Sequence, residues 1–152
     1  MIYEIRTYNL KPGSVPVFEE SFAKGLPARE KYSKLGAFWH TEFGALNQVI
    51  HVWPYASVEE RADIRAQASK DPDWPPKFDP ELMVNMESEI YTPAPFMREM
   101  GGDQALGNIY EMRVYTYKPG SMPEVIKRWA AAIPHREEHS PLAAAMSSEI
   151  GG

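Results

Sequence analysis

Residues 2–10 (IYEIRTYNL) place apolar and polar side chains alternately and are rich in Ile and Tyr, which predicts a strand. Lys11-Pro12-Gly13 is a turn, and Ser14 is predicted to cap a helix beginning near Val15, with Pro16 tolerated in its first turn. Glu19 and Glu20 suit the positive end of that helix. Phe18, Phe22 and Leu26, each four apart, form one apolar stripe, and Pro27 should kink or end the helix. Residues 36–43 and 48–55 read as two strands joined tightly through Gly44-Ala45-Leu46-Asn47. Ser57-Val58-Glu59-Glu60 has the spacing of a capping box and opens a second helix through about Ser69, ended by the Asp71–Pro76 stretch. Residues 84–91 read as a fourth strand.

The order β-α-β-β-α-β predicts an α+β, ferredoxin-like unit, with an antiparallel sheet and both helices on one face. Tyr3, Ile5, Ile50 and Val52 are expected to face the helices. Glu4, Arg6, Tyr8, Val49, His51, Trp53 and Tyr55 are then left on the open face. A face bearing Trp and Tyr marks an interaction surface. A second such sheet would cover it and close a dimeric α/β barrel.

The same pattern begins again further along. Residues 2–45 align without a gap to residues 109–152, with 19 identities in 44 positions, among them Ile-Tyr-Glu, Lys-Pro-Gly-Ser and the Pro27/Pro134 pair. The expected organisation is a complete unit over 1–96, a Pro- and Gly-rich linker over 97–108, and a truncated second copy over 109–152 that starts strand, helix, strand. A longer parent chain would complete that copy. Its first strand, 109–117, is expected to dock on a sheet edge, because open edges invite pairing.

Composition narrows the function. The net charge is −5 and no run of Lys or Arg occurs, so neither nucleic acid nor an anionic membrane surface is an expected partner. Without cysteine there is no disulfide, thiolate metal site or thiol nucleophile. Met1 leads straight into Ile2-Tyr3-Glu4-Ile5 with no charged leader or spanning apolar run, so no signal peptide or transmembrane helix is predicted, and a cytoplasmic location is expected.

The opening Ile2–Tyr8 with Lys11-Pro12-Gly13, the run Leu46–Tyr55, the helix start Ser57–Arg61 and Met86-Glu87-Ser88 together resemble NIPSNAP-domain proteins. The resemblance covers nearly all of residues 2–96 and again 109–152. It implies a fold similar to the dimeric α+β barrels, which include cofactor-free monooxygenases, haem-degrading enzymes and isomerase-like proteins. That is analogy of fold, not of chemistry.

Glu4, Arg6 and His51 are the catalytic candidates, since a carboxylate, a guanidinium and an imidazole on one face can bind a polar substrate and move protons. Tyr8, His40, Glu42, Trp53 and Tyr91 are the candidate lining of a ligand pocket. The competing reading makes Glu4 and Arg6 a structural ion pair and His51 and Trp53 interface packing. His135-Arg136-Glu137-Glu138-His139 matches a zinc-binding pattern, but Pro134 precedes it and no third ligand is placed, so no metal site is expected. No cofactor is expected either. The leading reading is a homodimer or larger homo-oligomer holding a small, partly apolar molecule, with catalysis left undecided. Its rivals are a cofactor-independent monooxygenase or isomerase, and a purely structural protein–protein interaction module.

Overall fold

The computed structural model describes residues 1–102 and 104–151. Asp103, in the expected linker, and Gly152, at the end of the expected second copy, lie outside the described residues. Two units are distinguishable. One comprises Met1–Thr92 with the terminal stretch from Ser148, and the other is Pro93–Ser147.

In the first unit the predicted elements appear in the predicted order: β1 (Ile2–Leu10), α1 (Val15–Arg29), β2 (Ala37–His40), β3 (Gln48–Tyr55), α2 (Val58–Ala68) and β4 (Met83–Pro93). The strands lie in the order β2-β3-β1-β4, and β1–β3, β1–β4 and β2–β3 are antiparallel, which is the ferredoxin-like arrangement. A further strand, β5 (Met146–Ile150), follows β4 in the sheet.

Some local expectations change. Ser57 caps α2 as its spacing predicts, accepting the Glu60 N–H at 3.2 Å, while the Glu60 carboxylate returns to the Ala56 N–H. Ser14 makes no side-chain cap on α1, because its backbone is already helical (φ −87°, ψ −13°) and its own N–H is tied to the Lys11 carbonyl. Pro27 does not end α1; it sits in the last turn, and the helix runs on to Arg29. β2 is only four residues long, since the chain leaves the ladder through Gly44 (φ 83°) and Asn47 (φ 59°), both in the left-handed region.

The larger correction concerns the sheet faces. Residues directly opposite in an antiparallel pair share a face. Glu4 opposes Trp53 and Ile90, Arg6 opposes His51 and Ser88, and Tyr8 opposes Val49 and Met86. This is the face that α1 and α2 cover, not the open one. Phe18 meets the Tyr8 ring edge-on at 5.5 Å, Phe22 packs on His51 at 5.2 Å, and Arg61 of α2 reaches Glu4. Leu10, Phe18, Phe22, Val49, Trp53 and Tyr55 form the core. The large aromatic surfaces decide the matter: burying Trp53 and Tyr55 under the phenylalanine stripe removes more apolar area from water than Ile5 and Ile50 offer. The charges on that face are then accommodated by pairing. On the other face Tyr3 and Val52 are buried as well.

In the second unit, α3 (Met122–Glu137) resembles α1 in its local features, with a serine at its start, a proline in its first turn and Pro134 inside. Gly13 and Gly120 precede the two helices at φ 82° and 80°. Residues 109–118, expected to form a strand on a sheet edge, carry no regular element, and Ile109 and Val114 are 91% and 81% exposed. The strand that extends the sheet is β5 instead. Among the described residues no helix is long and apolar enough to cross a membrane.

Candidate functional site

The centre of the site is Glu4, whose side chain is sealed beneath the helices. Its Oε1 accepts from Arg61 Nη2 at 2.6 Å, Ser88 Oγ at 2.7 Å and Arg6 Nη1 at 2.8 Å. The Tyr55 hydroxyl donates to Oε2 at 3.4 Å, and Arg65 Nη1 stands 3.7 Å from Oε1. β1 supplies Glu4 and Arg6, β4 supplies Ser88, β3 supplies Tyr55, and α2 supplies both outer arginines one turn apart. Burial alone would raise the Glu4 pKa. The hydrogen bonds from Arg61, Ser88 and Arg6 outweigh it and hold the carboxyl at about 2.

Arg6 also donates from Nε to the Tyr8 hydroxyl at 3.0 Å. A fourth guanidinium, Arg29 at the end of α1, is 3% exposed. It donates to the Tyr55 hydroxyl at 2.9 Å and to Ser33 Oγ at 2.8 Å, and lies over the Trp53 ring at 4.3 Å. Burial pushes its pKa down.

His51 adjoins this network and is 2% exposed. Trp53 Nε1 donates to His51 Nδ1 at 2.7 Å. Indole nitrogen can only donate, so Nδ1 is the acceptor and the neutral ring carries its proton on Nε2. That Nε2 has no hydrogen-bond partner, and the Tyr8, Phe22 and Phe38 rings surround the imidazole at 4.9–6.4 Å. Burial first, and the Arg6 charge second, push His51 down to about 3, so it is neutral at neutral pH.

The other candidates lie elsewhere. His40 is on the helix-covered face but at the surface, where Nδ1 meets Glu19 at 2.6 Å and Nε2 meets Glu42 at 2.9 Å. The two carboxylates raise its pKa. Tyr91 opposes Tyr3 and so occupies the face away from Glu4. Its hydroxyl donates to Glu89 at 2.8 Å, and burial together with that bond pushes its pKa up to about 12. The zinc-like run is not one helical face, because α3 stops at Glu137, one residue short of Glu138 and two short of His139. Among the described residues no group of three His, Cys, Asp or Glu could hold a metal. A surface groove of about 550 Å³ between α1 and residues 73–77 involves none of the cluster residues.

Reading the sequence alone missed Arg29, Ser88, Arg61 and Arg65, and took Tyr55 for an open-face residue. The one available signal was the four-residue spacing of Arg61 and Arg65, which puts both on one helical face.

A ferredoxin-like sheet with a charge cluster locked under its helices defines an α+β domain with a buried polar centre. The NIPSNAP family model matches residues 3–98 and 110–152, and the chain belongs to that family. It is 32% identical over 124 residues to Protein NipSnap homolog 3A of Homo sapiens, an alignment covering 79% of this chain and 49% of that protein. The chain thus spans about half the length of that curated relative. It is 33% identical to a crystallised NIPSNAP family protein of unknown function from Agrobacterium tumefaciens, with a TM-score of 0.60 and coverage of 66% of this chain and 94% of that one. A mutant of MhuD with two manganese protoporphyrin IX bound per active site shares the fold, at 14% identity, a TM-score of 0.50 and coverage of 67% and 100%.

Proposed function

We propose that this chain binds a small, partly apolar molecule in the layer between its helices and its sheet, and that it does so as a homo-oligomer in the cytoplasm. The observation that carries the binding reading is His51 Nε2, a buried donor without a partner inside an aromatic cage. A buried polar group left unpaired costs about 1–3 kcal/mol, and a ligand acceptor would recover it. Association is supported by the opposite sheet face, where Ile5, Trp39, Ile50 and Tyr91 are only half-buried. The duplicated organisation proposed for the chain, a unit over 1–96, a linker over 97–108 and a partial copy over 109–152, is supported by the double family match.

Binding is better supported than acid–base turnover. A general base for neutral pH needs a pKa near 7. Glu4 is held ionised near 2 with three donors on Oε1, and His51 stays neutral down to about 3. An oxygenase or isomerase using Glu4, Arg6 and His51 would have to rearrange this network first. Native mass spectrometry of protein purified without added ligand tests the proposal. An assembly larger than one chain carrying a defined extra mass, lost in His51→Phe, is the expected result. Bare single chains would remove both parts of the reading.

A further inference from the structure

We propose that the bound molecule is a small organic anion, whose carboxylate or phosphate group is received by Arg61 and Arg65 at the α2 edge of the Glu4 cluster. This rests on the small-molecule reading above and names the chemistry of the ligand.

The cluster has more positive than negative charge. Four guanidiniums, from Arg6, Arg29, Arg61 and Arg65, surround the single carboxylate of Glu4. Three donors converge on Glu4 Oε1 within 2.8 Å, so that oxygen has no capacity left. Arg29 reaches only a hydroxyl on each side and the Trp53 ring, and Arg65 stands off at 3.7 Å. Ser88, Ser33, Tyr55, Tyr8 and the neutral His51 are the other polar groups described around these arginines, and none of them supplies a negative charge. Buried cations are ordinarily matched by anions, because desolvating an unmatched charge is costly. Surplus guanidiniums at a partly sealed site therefore point to an anion that comes from outside.

Two further features fit. Arg61 Nε is buried and has no acceptor, a second unpaired buried donor besides His51 Nε2. The arginine side chains open progressively toward solvent, from 11% exposed at Arg6 through 23% at Arg61 to 41% at Arg65. Solvent therefore reaches the cluster from the α2 side. Arg61 and Arg65, four residues apart, present two planar forks that match the oxygens of a carboxylate or phosphate.

The test titrates the full chain with benzoate and with its neutral isostere benzamide at constant ionic strength, following the arginine Nε–Hε NMR resonances. Benzoate is expected to move the Arg61 and Arg65 resonances saturably, and Arg65→Gln, checked for an unchanged fold by its spectrum, to weaken benzoate about tenfold with no effect on benzamide. If benzoate and benzamide bind alike, or Arg65→Gln leaves benzoate unaffected, the anion inference is overturned while the small-molecule reading stands. If neither compound moves a resonance at millimolar concentration, the anion inference is also overturned. The small-molecule reading then depends on the native mass spectrum alone.

Discussion

At the scale of single residues, Glu4 and His51 show how burial changes the meaning of a side chain. Glu4 is a structural anion, and Glu4→Gln would leave Arg6 and Arg61 without their counter-charge. Removing one partner of such a buried pair costs about 3–5 kcal/mol, so urea unfolding of the variant should show a loss of that order. An unchanged midpoint would mean that the arginines are not bound to Glu4 in solution. Both groups also make stability fall in acid. Each has a folded pKa below its ordinary value, so each contributes stability that is present above the ordinary value and is lost as pH falls toward the folded one. For His51 that window runs from 6.5 down to about 3, and for Glu4 from 4.5 down to about 2. Denaturation at pH 7 and pH 5 should therefore show a loss in the native chain and a smaller loss in His51→Phe. Equal losses would show that His51 takes up its proton in the folded state as readily as in the unfolded one.

At the scale of elements, α1 and α2 do different work. α1 seals the core through Phe18 and Phe22, and Phe22 alone touches Phe38, His51, Trp53 and Trp74. Phe22→Ala should cost about 3–5 kcal/mol, as expected for a large aromatic removed from a tight core, measurable by thermal or urea unfolding. α2 contributes little apolar surface, with Ala68 its only buried residue, and instead brings Arg61 and Arg65 to Glu4. Its start depends on the Ser57 cap, so Ser57→Ala should destabilise by about 1 kcal/mol. The elements were legible in the sequence because they are local: the alternation in 2–10, the phenylalanine stripe and the Ser57–Glu60 box each need only neighbouring residues. The facing of the sheet was not. β1 alternates Tyr3 and Ile5 with Glu4 and Arg6, and polarity alone sends the charges outward. Their partners, Arg61 on α2 and Ser88 on β4, are 57 and 84 residues from Glu4, and no local pattern announces them.

At the scale of the whole molecule, the two versions of the same strand sequence behave differently. β1 is hydrogen-bonded to β3 on one side and β4 on the other. Residues 109–117, which share Ile, Tyr, Glu, Arg and Tyr with it, have no strand pairing, and their Glu111–Arg113 ion pair is exposed where Glu4–Arg6 is buried. Hydrogen exchange should separate them. Backbone amides in β1 are expected to exchange orders of magnitude more slowly than those of 109–117, since strand amides open only with the sheet. Comparable protection in both would mean that 109–117 is paired in solution.

The sequence by itself determined the class of fold, the family and the element order of the first unit, because strand alternation, helical spacing and capping chemistry act over a few residues. It also put Glu4, Arg6 and His51 on one face, since a strand's side chains alternate and the three share a register. Only the tertiary structure decided that this face is the buried one, that Tyr91 stands away from it, and that four arginines converge on one carboxylate. Those outcomes depend on which surfaces lose most contact with water when distant segments meet. The same β1-like residues at 109–117 make no strand here, because a strand needs hydrogen-bonding neighbours that its own sequence cannot supply.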